Sequence, residues 1–309
     1  MPRIPEKMSE RERILELKKE KNAVILAHNY QRPEIQDLAD FVGDSLGLSI
    51  QASKVEAEVI VFCGVDFMAE SAKILNPQKI VVHPEPKARC PMAAMCELEG
   101  LIEIKRKYPS AKVVGYVNTT AACKTEMDVC CTSSNAVKVV SSLPDKEIIF
   151  VPDENLGRYV QRFVKDKNII LWPGFCPTHN AIKPDQIKRL KKAHPDAVVI
   201  VHPECRPEVI DLADAVKSTE GMIKFVKASD KREFIIGTEK ELIYRLKKEN
   251  PEKIFYSIPG AICPTMKMIT LSSVAKALEN LAPRVELDEE TIRKAKIPLE
   301  RMMEIGRGD

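Results

Sequence analysis

An internal repeat that occurs three times constrains the fold of this chain more than any other feature. The segment AVILAHNYQRPEIQDLADFVGDS, from Ala23, matches AVVIVHPECRPEVIDLADAVKST, from Ala197, in an apolar run, a histidine, Arg-Pro-Glu, Asp-Leu-Ala-Asp and a serine. A more diverged copy, AKVVGYVNTTAACKTEMDVCCTSS, starts at Ala111 and has Asn118 where the other copies have histidine. A fixed period of this kind indicates repeated architecture.

The second half of each unit repeats as well. Each has a short apolar strand, an amphipathic helix, another strand and a final Cys-Pro pair, at Cys90, Cys176 and Cys263, which are 86 and 87 residues apart. In the first half, the Asp-Leu-Ala-Asp motifs at 37–40 and 211–214 are expected to lie in a helix. Strands that alternate with helices predict parallel sheets with helices on both faces.

The sequence therefore predicts an α/β protein. It should have three homologous three-layer (αβα) domains, with small parallel sheets in pseudo-threefold arrangement around a central active site. The predicted domains are 1–94, 95–180 and 181–268, and a C-terminal helical segment at 269–309 is expected to close the ring.

The composition argues against several classes of function. Lys and Arg number 48 against 45 Asp and Glu, and a net charge of +3 is too even to indicate nucleic acid or a membrane surface as partner. The segment 1–21 is charged and has no apolar signal-peptide core, and no run approaches the roughly 20 apolar residues that span a bilayer. We therefore expect a cytoplasmic protein whose nine cysteines are thiols or metal ligands rather than disulfides.

Polar side chains follow the first predicted strand of each unit, and a hydroxyl follows later at a predicted helix start. The residues are His28 and Tyr30, Tyr116 and Asn118, His202 and Glu204, and the hydroxyl-bearing Ser45, Ser133, Ser218 and Thr219. Ligands of open α/β sheets bind at the carboxyl ends of strands, and the N–H groups of helix starts favour anions. The pattern predicts one cavity for a small, multiply anionic substrate.

The three repeated cysteines predict a metal site that is one thiolate short of four. A closed zinc site takes four ligands, and a [4Fe–4S] cluster normally takes four cysteines. His179, three residues after Cys176, could complete a Cys3His zinc site. With iron, one metal corner would stay open to substrate and act as a Lewis acid. The residues by themselves leave iron and zinc both open.

Several longer motifs make the chain resemble the quinolinate synthase family over about residues 14–303. They are LAHNYQRPEIQDLADFVGDSL, GVDFMAES, CPMA, YVNTTAACK, DVCCTSSNAV, VHPEC and CPTMKMITL. The resemblance implies one [4Fe–4S] cluster per chain on Cys90, Cys176 and Cys263. It also implies that iminoaspartate condenses with dihydroxyacetone phosphate to give quinolinate, phosphate and water in de novo NAD biosynthesis. Some longer members carry a C-terminal C-x-x-C-x-x-C motif, of which only Cys263 is present here.

The resemblance also implies roles for individual residues. Substrate contacts carry over to His28, Ser45, Tyr116, Asn118, Ser133, His202, Glu204 and Thr219. Ser218 is expected to hold the phosphate together with His202 and Thr219. Tyr30, His179 and Glu204 are the predicted catalytic residues, with Glu204 and Tyr30 transferring protons and His179 close to the cluster.

Three other functions stay open on the residues alone. They are a zinc-dependent hydrolase, a non-catalytic iron–sulfur sensor, and a cluster dehydratase that acts on a different anion. For the family reaction, an L-aspartate oxidase or dehydrogenase is expected as a transient partner that supplies iminoaspartate.

Overall fold

Three parallel four-stranded sheets organise the chain. The computed structural model describes residues 8–309, and each sheet has the same order, with its first strand between its second and third and its fourth at the edge beyond the third. All strand pairs are parallel. The predicted α/β class with three small parallel sheets between helices is confirmed. We call each sheet with its helices a unit. The predicted domain boundaries stay a prediction, and residues 1–7 of the first domain lie outside the described residues.

The elements follow one another in the same order in each unit. The first unit contains α1 (Glu10–Glu20), β1 (Ala23–His28), α2 (Pro33–Gln36), β2 (Phe41–Gly43), α3 (Ser45–Lys54), β3 (Val59–Cys63), α4 (Asp66–Leu75) and β4 (Ile80–Val82). After a 3-10 turn at Ala93–Met95, the second contains α5 (Leu98–Lys107), β5 (Lys112–Tyr116), α6 (Ala121–Lys124), β6 (Val129–Cys131), α7 (Ala136–Ser142), β7 (Glu147–Val151), α8 (Glu154–Gln161) and β8 (Asn168–Leu171).

The third unit follows the short helix α9 (Pro177–Asn180). It contains α10 (Pro184–Ala193), β9 (Val198–Val201), α11 (Pro207–Ile210), β10 (Ala215–Val216), α12 (Thr219–Ala228), β11 (Glu233–Gly237), α13 (Leu242–Glu249) and β12 (Ile254–Ser257). A 3-10 turn at Met266–Met268 leads to α14 (Leu271–Asn280) and α15 (Glu289–Ile305).

The central strands are apolar along their whole length because helices cover both faces of each sheet. All five residues of β3 are buried, and so are all but the first residue of β1, β7 and β11. Each sheet therefore forms the middle of a packed core, and its strand ends are held in fixed positions. No helix within residues 8–309 is both long enough and apolar enough to cross a membrane.

The prediction that the two Asp-Leu-Ala-Asp motifs are helical is wrong. Helix α2 ends at Gln36 and α11 ends at Ile210, so both motifs lie in turns that lead to a short second strand. The last aspartate turns away because its carboxylate accepts a backbone N–H of the neighbouring first strand. Asp128 makes the same contact in the second unit, and we call Asp40, Asp128 and Asp214 the strand-start aspartates. The contacts join Asp40 to Ile25, Asp128 to Val113 and Asp214 to Val199, at 2.8, 2.9 and 2.8 Å.

The predicted C-terminal helices are present and connect the units. Helix α14 packs against α1 and β3, and α15 packs against α3 and α4 of the first unit and α6, α7 and β6 of the second. The last residues then reach the third unit. Arg307 pairs with Asp44 at 2.9 Å and donates to Ser218 Oγ at 3.1 Å, and the Gly308 N–H donates to the Ser134 carbonyl at 3.0 Å.

Candidate active site

One cavity lies where the carboxyl ends of the three sheets meet. It has about 690 Å³ of empty volume, part of it open to solvent. Every predicted site residue except Ser218 lines it, namely His28, Tyr30, Ser45, Cys90, Tyr116, Asn118, Ser133, Cys176, His179, His202, Glu204, Thr219 and Cys263. The fold thus brings together residues that are as far apart in sequence as His28 and Cys263.

Three of the nine cysteines differ from the others in exposure. Cys90, Cys176 and Cys263 are half-buried and line the cavity, one from the end of each unit. The remaining six are buried, namely Cys63, Cys96, Cys123, Cys130, Cys131 and Cys205. Burial raises the pKa of the Cys90 thiol, and the nearby Cys263 raises it further. Burial and Glu204 raise the pKa of Cys176, to which Cys90 adds. Both thiols therefore favour the protonated form unless a cation lies close to them.

Two histidines lie at equivalent strand ends and have the same tautomer. The Tyr30 N–H donates to Nδ1 of His28 at 3.2 Å, and the Glu204 N–H donates to Nδ1 of His202 at 3.3 Å. Burial lowers the pKa of each to about 3, against the opposing charge of Glu204. Both rings are therefore neutral near pH 7, with the proton on Nε2, which makes that nitrogen a donor. For His202, this Nε2 lies 3.1 Å from Ser133 Oγ.

Glu204 lies at the centre of the polar network and is 3% exposed. Its Oε1 accepts a short hydrogen bond from the Tyr116 hydroxyl, and its Oε2 lies 2.6 Å from Nδ1 of His179. Burial alone would raise the pKa of Glu204, but His179 and His202 and these hydrogen bonds bring it below the usual range. Burial raises the pKa of Tyr116, and Glu204 raises it further. Glu204 is thus a buried carboxylate in contact with a protonated phenol.

Tyr30 and His179 meet through a threonine that follows β11. The Tyr30 hydroxyl lies 2.5 Å from Thr238 Oγ1, and Nε2 of His179 lies 2.8 Å from the same oxygen. On its other side, Nδ1 of His179 is 3.2 Å from the sulfur of Cys176. A chain of contacts therefore runs from Tyr30 through Thr238 and His179 to the cysteine and to Glu204.

Asn118 carries an unsatisfied acceptor at the cavity wall. Its Oδ1 is buried and has no hydrogen-bond partner within residues 8–309, although Asn118 lines the cavity. A buried amide oxygen without a partner costs about 1–3 kcal/mol. A ligand with an N–H or O–H group directed at this oxygen would offset that cost.

Comparison with known proteins gives the family. The family model described as "Quinolinate synthetase A protein" matches residues 12–304. The chain belongs to the quinolinate synthase family. A protein named quinolinate synthase from Thermodesulfovibrio yellowstonii is 56% identical over 293 residues, which are 94% of this chain and 97% of that protein. The proteins of that name from Geobacter sp. (strain M21) and Caldicellulosiruptor bescii are 54% and 53% identical, over 94% and 95% of this chain and 96% and 97% of their own lengths.

Membership in the quinolinate synthase family confirms the predicted family and the prediction that the chain is an enzyme, of NAD biosynthesis. The geometry of the cavity bears on whether a metal can bind there. Cys176, His179 and Glu204 each bring a ligand atom within 4.8 Å of the others, so a metal site in the cavity is supported. However, both ring nitrogens of His179 already have protein partners, Glu204 and Thr238. His179 could therefore bind a metal only by giving up one of these partners.

The hydroxyls predicted at helix starts have different positions. Ser45 and Thr219 are the first residues of α3 and α12 and line the cavity, whereas Ser133 precedes α7 by three residues. Ser218 is the N-cap of α12, and its Oγ accepts the Gly221 N–H at 3.1 Å. It lies behind the cavity wall, where the side chains of Arg307 and Asp309 contact it.

Two buried residues that contact predicted site residues were not among the predicted ones. Thr238 is fully buried between Tyr30 and His179. Asn29 is also fully buried and donates to Thr219 Oγ1 at 2.9 Å, which ties the first unit to the third. The repeat contained a signal for Thr238, because it follows the third strand of its unit at the cavity end of the sheet.

Proposed function

We propose that this chain makes quinolinate from iminoaspartate and dihydroxyacetone phosphate, with one [4Fe–4S] cluster on Cys90, Cys176 and Cys263. The observation that carries the proposal is the division of the cysteines. One half-buried thiol from each unit faces the shared cavity, and the other six thiols are buried elsewhere. Three thiols without a fourth match a cluster that keeps one iron free of protein thiolate.

Bound to these thiols, the cluster would supply a Lewis acid that favours the loss of hydroxide as water. The cavity fits such a group chemically, because Cys90 and Cys176 are thiols whose ionisation a nearby cation would favour. The cavity lining also includes neutral histidines, hydroxyls and the Asn118 oxygen without a partner in the described part of the chain, beside the carboxylate of Glu204. These groups can donate to a small anionic substrate and accept from its N–H and O–H groups.

The chain's own residues would bind the two substrates at different walls. His28, Ser45, Tyr116, Asn118 and Ser133 would hold the dicarboxylate, and His202 and Thr219 would hold the phosphate, with Ser218 supporting the start of α12. The neutral His28 and His202 can each offer an Nε2–H to an anion. The oxygen Oδ1 of Asn118 has no protein partner among the described residues and can accept from the imine nitrogen.

Glu204 and Tyr30 would transfer protons, with His179 orienting both. Glu204 is ionised, which a general base requires, although its lowered pKa makes it a weaker base than an ordinary carboxylate. Burial and the charge of Glu204 raise the pKa of Tyr30, so Tyr30 starts as a proton donor. His179 contacts Glu204 directly, lies 3.4 Å from the Tyr30 hydroxyl through its Nε2 and shares Thr238 with Tyr30, and it is also close to Cys176.

The partner that provides iminoaspartate would be an L-aspartate oxidase or dehydrogenase in transient contact. The imine carbon is open to attack by water, which favours a short path between the two enzymes. The other functions considered, a zinc-dependent hydrolase and a non-catalytic iron–sulfur sensor, gain no support from the family match.

An anaerobic assay on a single sample tests the proposal. The purified protein should contain about four iron and four sulfide per chain, and it should form quinolinate from the two substrates. Single changes Cys90→Ala, Cys176→Ala and Cys263→Ala should remove both the visible absorption and the activity. The matched control Cys96→Ala changes a buried thiol and should keep both. Zinc in place of iron, or bleaching by Cys96→Ala, would contradict the cluster assignment.

A further inference from the structure

A carboxylate follows the third strand of each unit and contacts that unit's cavity cysteine. The carboxylate accepts the cysteine's backbone N–H in all three units, across 23 or 24 residues of sequence. The contacts join Asp66 Oδ1 to Cys90 N at 3.0 Å, Asp153 Oδ2 to Cys176 N at 3.1 Å, and Glu239 Oε1 to Cys263 N at 3.3 Å. We call Asp66, Asp153 and Glu239 the clamp carboxylates.

A second hydrogen bond runs in the opposite direction in each unit. A backbone N–H at the clamp carboxylate, or one residue after it, donates to the carbonyl two residues before the cysteine. The three bonds are Asp66 N to Ala88 O at 3.0 Å, Glu154 N to Gly174 O at 2.8 Å, and Lys240 N to Ala261 O at 2.9 Å. Each cysteine loop is therefore fixed to the end of a buried strand at two points.

The oxygens of the clamp carboxylates contact protein donors, although Glu239 also lines the cavity. Asp153 is fully buried, and its second oxygen accepts the Leu156 N–H at 2.9 Å. In Glu239, also fully buried, the second oxygen accepts the Glu241 N–H at 2.9 Å. The second oxygen of Asp66 accepts Arg89 Nε at 3.2 Å. Their position is that of groups that orient ligands without being ligands.

The use of a carboxylate here calls for an explanation. Burial raises the pKa of Asp153 and of Glu239, so a carboxyl group at these positions is costly unless it has a specific task. A carboxyl oxygen in a fixed position can hold an amide N–H at that position. Groups that orient metal ligands in this way commonly change metal affinity 10- to 100-fold when they are removed.

The third clamp also reaches into the first unit. Glu239 pairs with Lys267 at 2.9 Å, and the Lys267 ammonium donates to the backbone carbonyl of Tyr30. The Lys267 carbonyl in turn accepts both Arg32 Nε and Nη2, at 3.0 and 2.8 Å. The position of the Cys263 loop is thereby coupled to that of Tyr30.

We propose that Asp66, Asp153 and Glu239 are positioning residues that hold the three cysteine loops in register for the cluster. The inference rests on the proposed cluster. It adds that cluster retention depends on three equivalent carboxylates that never touch the metal, and that the clamp at Glu239 also sets the position of Tyr30.

The test compares each clamp carboxylate with the strand-start aspartate of the same unit. Asp66→Ala, Asp153→Ala and Glu239→Ala remove a clamp, and Asp40→Ala, Asp128→Ala and Asp214→Ala remove a backbone acceptor at another site of the sheet. Cluster loss is followed by visible absorption after an iron chelator is added anaerobically, and unfolding is followed on the same samples. The clamp variants should lose the cluster about 10- to 100-fold faster than their partners.

A conservative change sharpens the test. Asp66→Asn can keep an acceptor at the Oδ1 position, where the Cys90 N–H binds, and loses only the contact with Arg89. It should retain the cluster nearly as long as the unchanged protein, unlike Asp66→Ala. Asp66 is partly exposed, with 22% of its side chain accessible, so this pair carries the test if Asp153→Ala fails to fold.

The outcomes are distinct. Equal cluster retention in the clamp variants and their strand-start partners would overturn the inference while leaving the proposed function intact. The inference would also be overturned if Asp66→Asn lost the cluster as fast as Asp66→Ala. An unchanged protein that binds no iron and sulfide would overturn the cluster, and the role of the clamps with it.

Discussion

The cysteine loops and the first-strand ends of the three units face the same cavity but differ in how far they have diverged. The cysteine loops are alike, because each has a half-buried thiol, a carboxylate that accepts its N–H and a returning backbone bond. The first-strand ends are unlike. Two carry a neutral histidine, the second unit carries Asn118 instead, and only the third carries a buried carboxylate, Glu204.

The difference follows from what each region would hold. Three equal corners of one cluster can be served by three equal loops, so repetition is an advantage there. The two substrates have no threefold symmetry, and the reaction needs an acid, a base and separate places for carboxylates and a phosphate. The three units are therefore alike where they would bind the proposed cluster, and they differ where they would bind the two substrates.

The largest loss of activity is expected when the proposed base Glu204, at the first-strand end of the third unit, is removed. Glu204→Gln keeps the shape but cannot take up a proton, so turnover should fall by about 10²- to 10⁴-fold. The cluster should remain, because the cysteine loops are untouched. Quinolinate formation and iron content measure the two sides separately. Glu208→Gln, a change at a more exposed glutamate of the same unit, should be neutral, and full turnover in Glu204→Gln would remove that residue from the mechanism.

A pH dependence should appear at the two alike strand ends. His28 and His202 have a pKa of about 3 in the folded chain against an ordinary value of 6.5. Protons therefore bind preferentially to the unfolded chain, and stability present above pH 6.5 is lost as the pH falls below it. Each histidine should cost about 1.4 kcal/mol of unfolding free energy between about pH 7.5 and about pH 5.5.

Denaturant unfolding of the metal-free protein measures this loss. His28→Asn should remove the share of the pH dependence that His28 carries and leave the shares of His202 and of His83, whose pKa burial also lowers. If the variant loses as much stability as the unchanged chain, groups other than these histidines carry the effect.

Asn118 stands at the first-strand end of the second unit, where the other units have histidine. Asn118→Ala removes its Oδ1, an acceptor without a partner among the described residues. If a substrate N–H or O–H binds there, the KM of one substrate should rise about tenfold, which corresponds to about 1.4 kcal/mol. Separate KM measurements for iminoaspartate and the triose phosphate identify which substrate it is. Asn168→Ala, at an exposed strand start, is the matched control, and unchanged KM values for both substrates would remove Asn118 from the binding site.

The sequence could predict features that have a local signal, but not those that depend on long-range contacts. The repeat located the sheets, the cysteines and the strand-end residues, because strand periodicity and Cys-Pro spacing are local signals. It could not locate the short strands such as Ala215–Val216, whose two residues carry no periodicity. The helical prediction for Asp37–Asp40 was wrong because a long-range bond from Asp40 to the Ile25 N–H outweighs local helix propensity.

The contacts of Thr238 and of Ser218 illustrate the same limit. The position of Thr238 after β11 could be read from the repeat, but its partners Tyr30 and His179, which are 208 and 59 residues away, could not. Ser218 has the sequence of a helix cap and of an anion site equally, and only the course of the C-terminal residues decides what its hydroxyl contacts.

The smallest effect is expected at that C-terminal contact, which treats the three units unequally. Arg307 binds Asp44 of the first unit and Ser218 of the third, while its neighbour Gly308 binds the second. Arg307→Gln should lower the unfolding free energy by about 1 kcal/mol, less so at high salt, because a charged pair is lost and salt screens such pairs. Arg301→Gln, which loses one exposed bond from α15, just before the C-terminal residues, should be closer to neutral. Equal stability of the two variants would mean that the contacts of Arg307 do not stabilise the packing of the three units against one another.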